Sequence, residues 1–336
     1  MPGSVGAGLR PVVVGVDDVL GCHAAVSFAV GEAAVTGAQV RAVHVLAGPG
    51  TGARAGQEAA LAGTIGRARC AEPGNHVDVV PLVREGPVLQ TLVAATLEAE
   101  MLVVEHRRMS RLQRHSAPST AITIAGRVHC PLVSVPEGWQ PSRTAGGWVT
   151  VGIDAPDGES RALVERGLHL AQRANARLRL VHAWSMSSRY DDAMIEAADV
   201  EEWSRAYRTR LRQMLCGLQA MHPRLEVTVE VVHGDPAKVL LGRSRTAELL
   251  LLGRGRSVHP LVNGLGSVPR AVLEDSHCPV EVTHGGPAKV LVARSRTSGL
   301  VLLGRGRSVH PLVDGLGSVA RAVLEDGHCP VEVATV

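Results

Sequence analysis

The chain has 336 residues, 45% of them apolar, with a formal net charge of +3 and 2% aromatic content. That length exceeds one ordinary core and predicts two or three domains, while the small charge and scarce aromatics leave out the basic footprint and stacking platform of a nucleic-acid binder. No apolar run approaches the roughly 18 residues of a membrane span, and the N-terminus carries no signal-peptide pattern, so a cytoplasmic protein with neither nucleic acid nor membrane as partner is expected.

Residues 11–17 (PVVVGVD) read as a strand ending in Asp17, followed by a helix over 24–37 and a strand over 39–46. A helix over 53–71, a strand over 77–83, a Gly86-Pro87 turn into a helix and a strand over 101–104 come next, then a loop, a helix and a Val-rich strand. After a Pro/Gly-rich linker, 136–147, residues 150–154 (TVGID) restart the series and end in Asp154. The helix then falls over 160–175, the strand over 177–184, a long charged helix over 192–221, and strands over 226–232 and 249–252. Gly37-Ala38-Gln39-Val40-Arg41 lines up with Asn175-Ala176-Arg177-Leu178-Arg179, so the chain is a tandem repeat. Strands alternating with helices predict an α/β fold, with parallel sheets covered by helices on both faces.

A second duplication is more recent. Residues 233–282 recur at 284–333 with nine differences, among them Asp235 to Gly286 and Pro269 to Ala320. The copy spans helix, strand, loop, helix and strand, an αβαβ half-unit lacking the Asp-bearing first strand. The predicted domains are therefore 1–140, 146–283 and the half-unit 284–336. Two placements of the half-unit are open: it extends the sheet past the last strand of the second repeat, or it competes for the place of 233–282 in its own chain or a neighbour.

Three of the six cysteines lie in the triplets His129-Cys130-Pro131, His277-Cys278-Pro279 and His328-Cys329-Pro330, each before a short Val-rich strand. They read as small buried residues at a strand entrance, since zinc sites want Cys pairs two to four residues apart and the sequence has none. No metal site is expected.

The candidate site lies between strand and helix. Leu250-Leu251-Leu252 runs into Gly253-Arg254-Gly255-Arg256, and nine residues later Gly266-Ser267 opens a helix carrying Val268, Ala271, Val272 and Leu273. Such a glycine-rich connection gathers backbone N–H groups and the positive end of a helix dipole at one spot, which suits a phosphate. It recurs at Leu302 to Ser318, and at Val103 to Ser119 with the glycines lost to Glu105, Arg108 and Pro118.

Two Asp-ended first strands in tandem, with G-x-x-G, nine residues and G-S, resemble the universal stress protein family. The second glycine of that pattern is replaced by Arg256 here. The resemblance implies two doubly wound, Rossmann-like sheets of strand order 3-2-1-4-5, with a ligand crevice where the order reverses. It also implies ATP as the cofactor, alone or with Mg, although no carboxylate cluster offers an evident magnesium site. Asp154 and the backbone at Ala183 would meet the adenosine, and Gly253, Gly266, Ser267 and Val268 the phosphates. Arg254 and Arg256 either grip phosphate oxygens or stand solvated on the loop.

An ATP-binding regulatory stress-response protein is thus expected, with nucleotide as ligand rather than fuel and no catalytic residues. No GxxxxGK[ST] loop is present and neither lysine, Lys238 or Lys289, lies near the phosphate loop. The alternatives are an interaction module without nucleotide and, third, an ATP hydrolase using His259 as acid or base. An intrachain pseudo-dimer of the repeats is expected, with association into homo-oligomers as a further option. The first repeat, with Glu105 and Pro118 in its loop, is expected to bind nothing.

Overall fold

The computed structural model describes residues 9–17, 23–46, 51–71, 77–107, 119–128, 130–141, 146–186, 188–255, 265–283, 301–304 and 331–334. In the first repeat the order is β1 (Val12–Gly15), α1 (His23–Thr36), β2 (Val40–Leu46), α2 (Thr51–Ala71), β3 (Val79–Glu85), α3 (Val88–Ala95), β4 (Met101–His106), α4 (Thr120–Ala125) and β5 (Leu132–Pro136). The second repeat runs β6 (Trp148–Gly152), α5 (Gly158–Arg173), β7 (Arg177–Trp184), α6 (Arg189–Met194), α7 (Ala197–Gln219), β8 (Val227–His233), α8 (Pro236–Ser244), β9 (Ala247–Gly253), α9 (Ser267–Asp275) and β10 (Val280–Thr283). The extra half-unit contributes β11 (Val301–Gly304) and β12 (Val331–Ala334).

Each repeat builds five parallel strands in the expected order, β3-β2-β1-β4-β5 and β8-β7-β6-β9-β10. Apolar runs such as Val12–Val14 and Leu250–Leu252 are buried on both faces, as parallel strands between helix layers must be. The helices end where the sequence repeat predicts. Gly37 (φ 72°) and Asn175 (φ 49°) occupy equivalent positions just beyond α1 and α5, in the left-handed conformation that glycine and asparagine accept most readily. The expected long helix over 192–221 is instead broken into α6 and α7. Asp192 accounts for the anchoring of the first piece: its Oδ1 accepts the Met186 N–H at 2.7 Å and lies 2.8 Å from His233 Nε2, at the ends of β7 and β8.

The two repeats join edge to edge. β5 and β10 pair antiparallel, with Val280 opposite Ser134, Glu281 opposite Val133 and Val282 opposite Leu132, making one ten-stranded sheet. Each of two hydrophobic cores, one per face, is shared by both repeats: α1, α2, α5 and α7 cover one, α3, α4, α8 and α9 the other. Arg173 of α5 donates to Glu32 of α1 at 3.0 Å across the seam.

β5 thus takes up the edge of β10 at which strands added after it would pair. β11 and β12 pair with each other in a separate two-stranded sheet. Their register, Val301 opposite Val331, reproduces that of Leu250 opposite Val280 in the original. Residues Met1–Thr283 and His284–Val336 form two compact units.

Candidate functional site

The crevice of the second repeat is assembled at the C-terminal ends of β7, β6 and β9. Gly152 pairs with Val181 on one side and Leu252 on the other. Carrying that register two residues onward sets Asp154 level with Ala183 and Arg254, as the topology predicts. Asp154 is exposed at the strand end, and its charge is felt by the neighbouring His182.

Beyond β9 the chain narrows into a neck. The Gly266 N–H donates to the Arg254 carbonyl at 2.7 Å. Gly255 has φ 67°, and a Cβ on Gly266 would lie 3.2 Å from both Arg254 O and Gly255 Cα. Backbone thus packs on backbone, so that a side chain at Gly266 would make the neck give by a few tenths of an ångström. Gly253 is different: among the described residues a Cβ on it would meet nothing within 4 Å, so none of them demands its glycine by packing. α9 begins directly after Gly266 with Ser267 and Val268, and its N-cap is a glycine, which brings no side chain to cap the first turn. Among the described residues no side chain caps its first amides, and its dipole faces the crevice.

The equivalent place in the first repeat is already filled. Glu105 stands where Gly253 does, and its carboxylate accepts the Ala25 N–H at 3.2 Å, in the first turn of α1. Burial pushes the pKa of Glu105 up, against the opposing pull of that hydrogen bond. Ser119, the remnant of the Gly-Ser pair, caps α4 by accepting the Ile122 N–H at 3.3 Å. An acid and a hydroxyl of the chain thus stand at the strand end and the helix start that Gly253 and Gly266 hold in the second repeat.

Of the predicted site residues, Asp154, Ala183, Gly253, Gly266, Ser267 and Val268 converge on this crevice. Arg254 has its backbone there, but its guanidinium Nη2 donates to Val128 O of the first repeat at 3.2 Å. Burial lowers the pKa of that guanidinium to about 10. Arg256 and His259 lie outside the described residues. Among the described residues no group of three or more His, Cys, Asp or Glu side chains could hold a metal ion. Cys130 and Cys278 are buried, where desolvation raises each thiol to about 12.

Sequence reasoning passed over His182. Its Nδ1 lies 3.0 Å from Ile153 O, and because a carbonyl only accepts, Nδ1 carries the proton. Nε2 is buried and finds no hydrogen-bond partner among the described residues, and the ring stacks on Tyr207 at 4.1 Å. His44 makes the same bond to Val16 O at 2.8 Å in the first repeat. The signal was visible as one histidine at the same position of both repeats.

The universal stress protein family model matches residues 8–136 and 149–284. A universal stress protein of Mycobacterium tuberculosis is 29% identical over 213 residues, which cover 62% of this chain and 66% of the relative, just under two thirds of its length. One from Mycolicibacterium smegmatis is 28% identical over 295 residues, covering 81% of this chain and 96% of the relative. Among solved structures, a universal stress protein from Archaeoglobus fulgidus superposes with a TM-score of 0.59 at 16% identity, covering 81% of this chain and 95% of its own. A putative universal stress protein from Pseudomonas aeruginosa gives 0.55 at 15% identity, covering 82% and 93%. These two agree with the chain in fold. No helix among the described residues is long and apolar enough to cross a membrane. With a family model matching both repeats over most of the chain, the protein belongs to the universal stress protein family.

Proposed function

We propose that the chain is a cytoplasmic regulatory stress-response protein that holds one ATP, in the crevice of its second repeat, as ligand rather than fuel. The observation that carries this is the contrast at the end of the fourth strand: among the described residues nothing lies within 4 Å of a Cβ at Gly253 in one repeat, whereas the Glu105 carboxylate stands there in the other. The backbone N–H groups of Ser267 and Val268 and the dipole of α9 suit the phosphates, Gly266 lets them approach the backbone, and Asp154 and the backbone of Ala183 suit the adenosine. A micromolar site needs about 8 kcal/mol in total. Charge-assisted hydrogen bonds at roughly 1.5–3 kcal/mol each, with a helix N-terminus at up to about 2, reach that sum.

In this reading the first repeat serves as a structural partner. Glu105 puts a negative charge where a phosphate would have to sit, so nucleotide is excluded there by like charge as well as by occupied donors. Nucleotide released from the purified protein by heat should be an adenine nucleotide, at no more than one per chain. Protein that carries none and takes up none on dialysis against ATP contradicts the proposal.

A further inference from the structure

We propose that Arg254 is a positioning residue that ties the ligand loop of the second repeat to the first repeat, so that occupancy of the crevice is transmitted across the seam. The inference rests on the nucleotide reading of the second repeat and extends it to regulation.

Arg254 belongs to both places at once. Its carbonyl accepts the Gly266 N–H at 2.7 Å and so closes the neck of the loop from which α9 starts. Its guanidinium crosses to the first repeat and donates to the carbonyl of Val128, a buried residue just past α4. Val128 is itself held back to α4 by its own N–H on Ile124 O at 3.2 Å. Helices α4 and α9 pack against each other. A displacement of the neck therefore moves the guanidinium, and with it the end of α4, without passing through any solvated side chain.

The chemistry favours coupling in one direction. A desolvated cation gains from an added negative charge more than a solvated one does, because the low local dielectric strengthens the attraction. A polyphosphate at the neck is such a charge. Coupling between two sites is reciprocal in free energy, so whatever the ligand gains from an intact seam, the seam gains from the ligand. At the position of Arg254 the first repeat carries His106, whose Nδ1 lies 3.0 Å from Ser134 Oγ on β5 of the same repeat.

The test uses the full chain and amide hydrogen exchange with and without ATP. In the wild type, saturating ATP should slow exchange several-fold in peptides spanning 120–134, which lie in the repeat that holds no nucleotide. Arg254→Met should bind ATP about tenfold more weakly, within the usual 5- to 150-fold range of coupling, and at saturation should show no slowing in those peptides. Arg254→Lys, which keeps a charged donor, should recover part of both effects; a merely structural arginine would not give a ligand-dependent signal in the other repeat. Wild type that binds ATP with unchanged exchange over 120–134 overturns the inference while leaving the nucleotide site standing. So does ATP-dependent slowing that survives in Arg254→Met. If Arg254→Met fails to fold, the wild-type comparison decides alone. Wild type that binds no ATP removes both readings together.

Discussion

Glu281 on β10 is held by Arg166 on α5, with Nε at 3.0 Å from one carboxylate oxygen and Nη2 at 3.4 Å from the other. The carboxylate side chain is only 1% exposed, against 27% for the guanidinium. The same two positions in the first repeat are Phe28 and Val133, and Val133 is the residue directly opposite Glu281 in the seam. One ion pair and one apolar pair thus solve the same packing problem on the two sides of the pseudo-symmetric joint.

Removing one partner of a buried pair strands the other, whereas replacing both by a fitting apolar pair is close to neutral. Arg166→Met should lower stability by about 3 kcal/mol, read as a shift in the urea midpoint. The double substitution Arg166→Phe with Glu281→Val, copying the first repeat, should regain most of the loss. A single variant as stable as wild type, or a double variant no better than the single, contradicts this account of the seam.

The acid limb of stability should carry a contribution from His182. Desolvation lowers its pKa from 6.5, with the Ile153 carbonyl and Asp154 pulling the other way. The unfolded chain then takes up a proton near pH 6.5 that the folded chain refuses until lower pH, so stability from this group is present above 6.5 and falls on acidification. His182→Asn, which keeps an amide donor where Nδ1 stands, should flatten the stability profile as the pH falls below about 6.5. An unchanged slope would show that the group is not the cause.

Thiol chemistry should separate by burial. Cys216 on α7 is exposed, while Cys130 and Cys278 are buried with thiols raised to about 12. At pH 8 only about one in ten thousand of the buried thiols is ionised, and thiolate is the reactive form. Iodoacetamide should therefore modify Cys216 in the native protein and reach Cys130 and Cys278 only after denaturation. Early modification of Cys278, mapped by mass spectrometry, would contradict the burial at the entrance to β10.

The neck itself predicts a steric cost. A β-branched side chain at Gly266 would press on the Arg254 carbonyl and the Gly255 backbone at 3.2 Å, and backbone cannot rotate away as a side chain can. Gly266→Val should destabilise the protein by about 1–3 kcal/mol and weaken ATP binding as well. A variant with wild-type stability would mean that the neck opens freely.

Most of the fold was legible because it is written twice. Asp17 and Asp154, then Gly37 and Asn175, mark the same places in both repeats, and the strand runs between them are continuous enough to exclude alternation. The seam was not legible, since any short Val-rich edge strand can pair with any other and the partners here lie far apart in the chain. Its trace was present only in comparison: Phe28 and Val133 change together into Arg166 and Glu281. In the candidate site the glycines could be placed from their spacing. The direction of Arg254 could not, because a side chain on a ligand loop turns outward or inward according to what the other repeat offers. In the sequence Glu105 shows only as a lost glycine, and its hydrogen bond to Ala25 emerges only from α1 and β4 lying side by side.

The most direct test of the central claim is calorimetric titration of ATP into wild type and Gly253→Val. A Cβ at residue 253 meets none of the described residues within 4 Å, so the variant should fold with an unchanged urea midpoint while its side chain fills the space the ligand needs. The account predicts one micromolar site per chain in the wild type and a loss of at least tenfold in affinity in Gly253→Val. Equal affinity in a folded Gly253→Val protein, or a second equivalent of ATP bound by the wild type, would contradict it.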